Sequence, residues 1–171
     1  MKVCYPFIYE ESSLCDYEIE TDSLCSQIGL AIELLPVEST VRDPLRTLQE
    51  LVYHQNGSLR GKLAITTKNV MWLQNWYDTL LLARDSGGHT VRGKGVFELP
   101  AGVAGACALH VARCQAKSVV RLMGKIRNSS VAVPEIMLDW ANLVANLLFV
   151  VAEQVNREAE REEIPFVTKS Y

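Results

Sequence analysis

Three stretches of this chain hold the residue types best suited to chemistry. Phe97-Glu98-Leu99-Pro100 sets a large ring and a carboxylate just ahead of a proline. His110, Arg113, Lys117 and Arg121 recur at three- and four-residue intervals, so on a helix they share one face and could present donors to an anion. Asn142 and Asn146 interrupt an otherwise apolar segment, where an unpaired buried amide would cost a few kcal/mol, so both need partners. No Walker-type glycine loop, no zinc-ligand spacing and no serine or cysteine nucleophile beside an evident base occurs. On residue type alone His110, beside an apolar seam, reads as a hydrogen-bonded structural histidine. Arg113 and Lys117 fit either a solvated helix face or an anion site.

The elements that must position these residues are helical. Thr21 is the expected cap of a first helix, with Asp22 in its first turn, an apolar face of Leu24, Ile28, Ala31 and Leu35, and Pro36 as the stop. Asp43 and Pro44 open a second helix with the stripe Leu45, Leu48 and Val52. The chain turns within His54 to Lys62. Thr66 or Thr67 then caps a third helix carrying Val70, Leu73, Tyr77 and Leu80, which gives way to an expected mobile loop from Arg84 to Gly95. Pro100 and Gly102 precede a fourth helix with the seam Leu109, Ala112, Ala116, Val119, Met123 and Ile126. Pro134 and Glu135 open a fifth, with Met137, Trp140, Val144, Leu147 and Val151 on one face and Asp139, Asn142, Asn146, Phe149, Glu153 and Asn156 on the other. Its charged end, Arg157 to Glu163, leaves the core before Pro165. The pattern predicts an all-α, five-helix up-and-down bundle in one domain, with a helical core over 16–160 and tails at 1–15 and 162–171. The broad apolar surface of the fifth helix suggests an oligomer.

Composition narrows the partners. Of 171 residues 49% are hydrophobic and 22% charged, which is globular composition, and a net charge of -3 offers no field for a phosphate backbone. Nucleic acid is not an expected partner. The run Leu143 to Ala152 is shorter than the roughly 20 residues that cross a bilayer, so it reads as core and no membrane association is expected. Cys4, Cys15, Cys25, Cys107 and Cys114 show no Cys-x-x-Cys spacing and no secretory leader precedes them, which suggests reduced thiols in the cytoplasm. Cys107 and Cys114, two turns apart on one helix, cannot form a disulfide without breaking it.

The motif Phe97-Glu98-Leu99-Pro100-Ala101-Gly102, followed by Leu109-His110-Val111-Ala112-Arg113, resembles the signature of the ATP:corrinoid adenosyltransferases of the propanediol-utilisation type. Ile28-Gly29-Leu30-Ala31, Ile65-Thr66-Thr67-Lys68-Asn69-Val70 and Leu138 to Asn156 are similar to that family's first, third and final helices. The likeness spans about Asp16 to Asn156. It implies a homotrimer with its site between adjacent subunits, a corrinoid substrate, and ATP with Mg2+. It further implies attack of a Co(I) corrinoid on the 5′ carbon of ATP. By position, Phe97 matches the ring facing the corrin, although it is equally suited to stapling the loop to the helices. Asp22 and Arg113 match an acid and a guanidinium that pair across the subunit boundary, the two residues expected to be catalytic. Lys117 stands for a phosphate-binding arginine and loses its planar fork. Asn142 matches a cleft-lining asparagine. Asn146 replaces an aspartate in the same cleft and also suits a role in fixing helix register across a trimer. No metal-ligating residue is implied.

The departures from that pattern remove charge. Ser118 and Leu143 replace arginines, Val120 replaces a glutamate, and Met1 to Tyr17 hold no counterpart of the family's Thr-Arg-Thr-Gly-Asp triphosphate loop. Three functions therefore compete: a divergent adenosyltransferase, a catalytically degenerate binder of corrinoid or nucleotide, and an interaction bundle without a small ligand.

Overall fold

A computed structural model describes residues 2–86, 96–129 and 131–169. Five helices account for most of them: α1 (Ser13–Glu33), α2 (Arg42–Asn56), α3 (Thr67–Ser86), α4 (Ala104–Arg127) and α5 (Glu135–Glu158), with two short strands, β1 (Val96–Glu98) and β2 (Pro165–Val167). Helix α1 packs on α2 and α4, and α5 packs on α4 and α3. The central pair α4 and α5 thus carries the bundle. The expected seams of α1, α2, α4 and α5 are all buried, whereas on α3 only Leu73 and Leu80 are.

Helix α5 is long and apolar enough to cross a membrane by length and composition, contrary to the reading from Leu143 to Ala152 alone. Most of its apolar residues, with Met137, Trp140, Leu147 and Val151 fully buried, lie in the bundle core, while Ile136, Leu138, Leu143 and Phe149 are partly buried. Trp140 donates its indole N–H to Gln55 Oε1 at 2.8 Å, and Tyr17 donates to the Gln55 backbone carbonyl at 3.0 Å, joining α1, α2 and α5 through one buried residue.

Three boundaries differ from expectation. Helix α1 begins at Ser13, two turns before Thr21, which lies mid-helix and returns its hydroxyl to the Tyr17 carbonyl at 2.7 Å. Helix α2 begins at Arg42 rather than at Asp43, and the Arg42 guanidinium donates to the Ile32 and Leu35 carbonyls at 2.6 and 2.8 Å, closing the end of α1. Helix α5 stops at Glu158, and the expected tail instead forms β2, antiparallel to β1 with Phe166 opposite Phe97. Thr66 does precede α3, exchanging bonds with Asn69 as a cap does. Of the expected mobile loop, Arg84 to Ser86 belong to α3 and 87–95 lie outside the described residues. All five cysteines are free.

Candidate functional site

The turn before α4 is held by one side chain. Asn156, 1% exposed, accepts from the Val103 N–H at 3.1 Å and donates to the Ala101 carbonyl at 3.1 Å and to Glu163 at 2.9 Å. Gly102 sits between these contacts at φ 126, a conformation that favours glycine, and a Cβ there would lie 1.9 Å from Asn156 Oδ1. This knot and the β1–β2 ladder fix the ribbon that carries Phe97. Phe97 is half exposed, as are Leu99, Ile164 and Phe166, and Val167 is more so, so the ribbon presents an apolar edge.

Along α4 and α5 one register holds from end to end. Arg127 meets Glu135 at 2.5 Å near the turn, and the Arg113 guanidinium stands 5.3 Å from the centre of the Phe149 ring. Equal numbers of residues separate these contacts on the two helices, so the pair runs antiparallel without a slip. Lys117, one turn from Arg113, therefore falls at the level of Ala145, flanked by Asn142 and Asn146. On that register Lys117, Asn142 and Asn146 fall on the side of the α4–α5 groove where Arg113 stands beside Phe149.

Burial within that groove departs from the sequence reading. Asn142 and Asn146 are exposed, not buried amides, and Asn142 donates to its own helix at Leu138 O, 2.8 Å away. The seam to which they belong becomes buried only further along, at Glu153 and Asn156. Lys117 is exposed and Arg113 half buried. Arg113 has no hydrogen bond or ion pair among the described residues, and its Nε is shielded from water. His110 is 3% exposed, its ring 5.9 Å from that of Phe149, and neither of its nitrogens has a hydrogen-bond partner among the described residues. The expected hydrogen-bonded histidine is thus instead a solvent-excluded neutral ring. Burial, aided by the Arg113 charge, lowers its pKa to about 4.

Asp22 lies elsewhere in the protomer. Gln115 of α4 donates to the Glu20 carbonyl at 3.0 Å, and two residues further on a helix the side chain points to the other side. Asp22 accordingly lines a cavity of about 160 Å³ with Tyr5, Glu18, Ile19, Tyr53 and Asn56. It forms no ion pair with Arg113 within the chain. Sequence reasoning missed Phe166, for which the short β-prone run Pro165-Phe166-Val167 was the signal, and passed over Phe149 and Asn156, both already on the polar seam of α5.

The architecture defines a class, a five-helix bundle whose central helix pair carries a half-buried arginine with no hydrogen bond or ion pair among the described residues. A model of the cobalamin adenosyltransferase family matches residues 15–155, and the chain belongs to that family. No curated protein matches. Solved structures of a PduO-type ATP:corrinoid adenosyltransferase from Lactobacillus reuteri share the fold. A phenylalanine-to-alanine variant complexed with cobalamin and ATP superposes with a TM-score of 0.80 at 19% identity, covering 94% of this chain and 90% of that one. An arginine-to-lysine variant complexed with ATP gives 0.81 at 20% identity, covering 93% and 90%.

Proposed function

We propose that this protein transfers the adenosyl group of ATP to a Co(I) corrinoid, at sites formed between the protomers of a homotrimer in the cytoplasm. The observation that carries this reading is Arg113, a half-buried guanidinium beside Phe149 that makes no hydrogen bond or ion pair among the described residues. In the reaction the Co(I) electron pair forms the bond to C5′, the C5′–O bond breaks, and triphosphate leaves with the two electrons of that C–O bond. Arg113 and Lys117 meet the growing charge on the triphosphate from the α4 face, and Asn142 and Asn146 bond to polar groups across the groove. Phe97 and Phe166, adjacent across the ribbon, exclude water and the lower axial ligand from the metal. A neighbouring protomer's Asp22 holds Arg113 in place.

The Lactobacillus reuteri structures support the assignment of two positions. The phenylalanine and the arginine substituted in them are separated by the same number of residues as Phe97 and Lys117 here, and the form carrying lysine is complexed with ATP. Mg2+ would come with the nucleotide, bound through phosphate oxygens.

Incubation with reduced cobalamin, ATP and Mg2+ should yield the adenosylcobalamin spectrum together with free triphosphate, and Phe97→Ala should slow it. No product above the protein-free control would overturn catalysis. A second reading, a non-catalytic corrinoid binder, is favoured by one observation: residues 2–12 are tied to α1 through Arg60 rather than free to wrap a triphosphate. It predicts cobalamin binding that Phe97→Ala weakens, without measurable ATP affinity.

A further inference from the structure

Two side chains of α4 hold buried polar atoms and bond through none of them. Gln27, Gln55 and Arg157 each carry one shielded atom without a partner, yet each bonds through another: Gln27 to Ser23 at 3.2 Å, Gln55 to Trp140 at 2.8 Å, and Arg157 to Gln154. His110 and Arg113 make no hydrogen bond or ion pair among the described residues, although both ring nitrogens of the one and Nε of the other are closed to water. Leaving such groups unsatisfied is costly. The two stand one turn apart on the same helix and rest on the same ring. The imidazole centre lies 5.9 Å from the centre of Phe149, and the guanidinium carbon 5.3 Å from it.

Their chemistry is complementary. A neutral imidazole has one bare nitrogen that accepts, whereas a guanidinium only donates, so each lacks what the other offers. His110 is held neutral because burial and the Arg113 charge both oppose its protonation. Residues three apart are neighbours on a helix surface, so side-chain torsions alone can bring Nε–H onto the ring nitrogen. Only Nε of the guanidinium is shielded, and its two outer amines reach solvent. A bond at Nε therefore leaves both outer amines to a ligand and fixes the direction in which they point. Without an anion that bond would cost the Arg113 side chain its rotational freedom. An anion on the outer amines removes that freedom first.

We propose that His110 is the positioning residue of Arg113, its bare ring nitrogen accepting the Nε–H when an anion engages the outer amines. The inference rests on the reading above for that anion, the phosphate oxygens of a triphosphate. His110 itself, closed to solvent, touches no substrate. It acts only through the guanidinium.

Inorganic triphosphate, titrated calorimetrically into the full chain, is the probe. Arg113→Gln should weaken its binding by more than about tenfold. His110→Leu, which the fold should tolerate because it deletes two unpaired nitrogens, should weaken it about five- to tenfold, the loss of one hydrogen bond. His110→Asn and His110→Gln put a carbonyl oxygen near the place of one ring nitrogen or the other, and one of them should restore most of the affinity. Arg113→Lys keeps the charge but has no Nε–H to give, so adding His110→Leu to it should change affinity no further. In NMR of the triphosphate complex the Arg113 Nε–H signal, assigned by its absence in Arg113→Lys, should exchange slowly with water in the unaltered chain and rapidly in His110→Leu. Unchanged affinity in His110→Leu, an equal loss from it in the Arg113→Lys background, or failure of both His110→Asn and His110→Gln to recover affinity would overturn the positioning role. That result, beside a weakened Arg113→Gln, removes this inference alone. If the unaltered chain binds no triphosphate, or Arg113→Gln binds it equally well, the reading above loses its phosphate contact and the inference falls with it.

Discussion

Replacing Asn156 with alanine isolates the knot that positions the Phe97 ribbon. The substitution removes the acceptor of the Val103 N–H, the donor to the Ala101 carbonyl, and a bond to Glu163. Neither backbone group is fully exposed, so water replaces the lost amide only in part, and each orphaned group costs about 1 kcal/mol or slightly more. The third bond, to a side chain near the surface, contributes about 0.5 kcal/mol. The total, roughly 2–3 kcal/mol, corresponds to a fall in melting temperature of about 4–12 °C for a chain of this size. Thermal and urea denaturation with matched probes give the value. Hydrogen exchange at Leu99, whose amide bonds to the Ile164 carbonyl at 2.9 Å, reports whether the ribbon loosens with it. A loss below about 0.5 kcal/mol, the level of an ordinary surface change, with Leu99 still protected, would refute the claim that Asn156 holds this turn.

Gly102→Ala should destabilise by about 2–4 kcal/mol, since it forces a side chain into a positive-φ position 1.9 Å from Asn156 Oδ1. In denaturation, the loss in the double variant with Asn156→Ala should be smaller than the sum of the two single losses, because the truncated asparagine no longer occupies that space; strict additivity would count against the contact. His110 carries a pH dependence of definite sign. Its folded pKa of about 4 lies below the ordinary 6.5, so its neutral form is fully compatible with folding above pH 6.5 and stability is lost as pH falls from there toward 4. His110→Leu should flatten that part of the stability profile and cost little at pH 7, because two unpartnered buried nitrogens vanish with the ring. An unchanged acid limb would show that other groups govern it. Lys117→Ala should weaken ATP binding, measured by calorimetry, by about tenfold, in line with loss of a charge-assisted contact to phosphate, and equal affinity would remove Lys117 from the site.

The seams of α1, α2, α4 and α5 were legible because their apolar residues recur every three or four positions, and burial obeys that period. The start of α1 was not, because Thr21 and Asp22 imitate a cap while Cys15 and Tyr17, both buried, lie among polar residues that mask the face. Strand β2 escaped because a three-residue strand has no periodicity of its own; its pairing with β1 joins segments far apart in the chain. Arg113 and Phe97 could be singled out from their motifs. The exposure of Asn142 and Asn146 could not, since an asparagine among apolar residues reads as core whether its helix is covered by its own bundle or stands at an outer face. The unpartnered state of His110 was equally hidden, because a sequence gives the side chain and not the acceptors around it.

Mixing two crippled chains tests the shared site most directly. Asp22→Asn keeps Arg113 and Arg113→Gln keeps Asp22, so each alone should form little adenosylcobalamin, while a mixed assembly contains junctions where both native residues face each other. Recovery of product after the two are unfolded and refolded together is the predicted result. A mixture as inactive as its separate components, beside an active unsubstituted protein, would contradict a site built from the Asp22 of one copy and the Arg113 of the next.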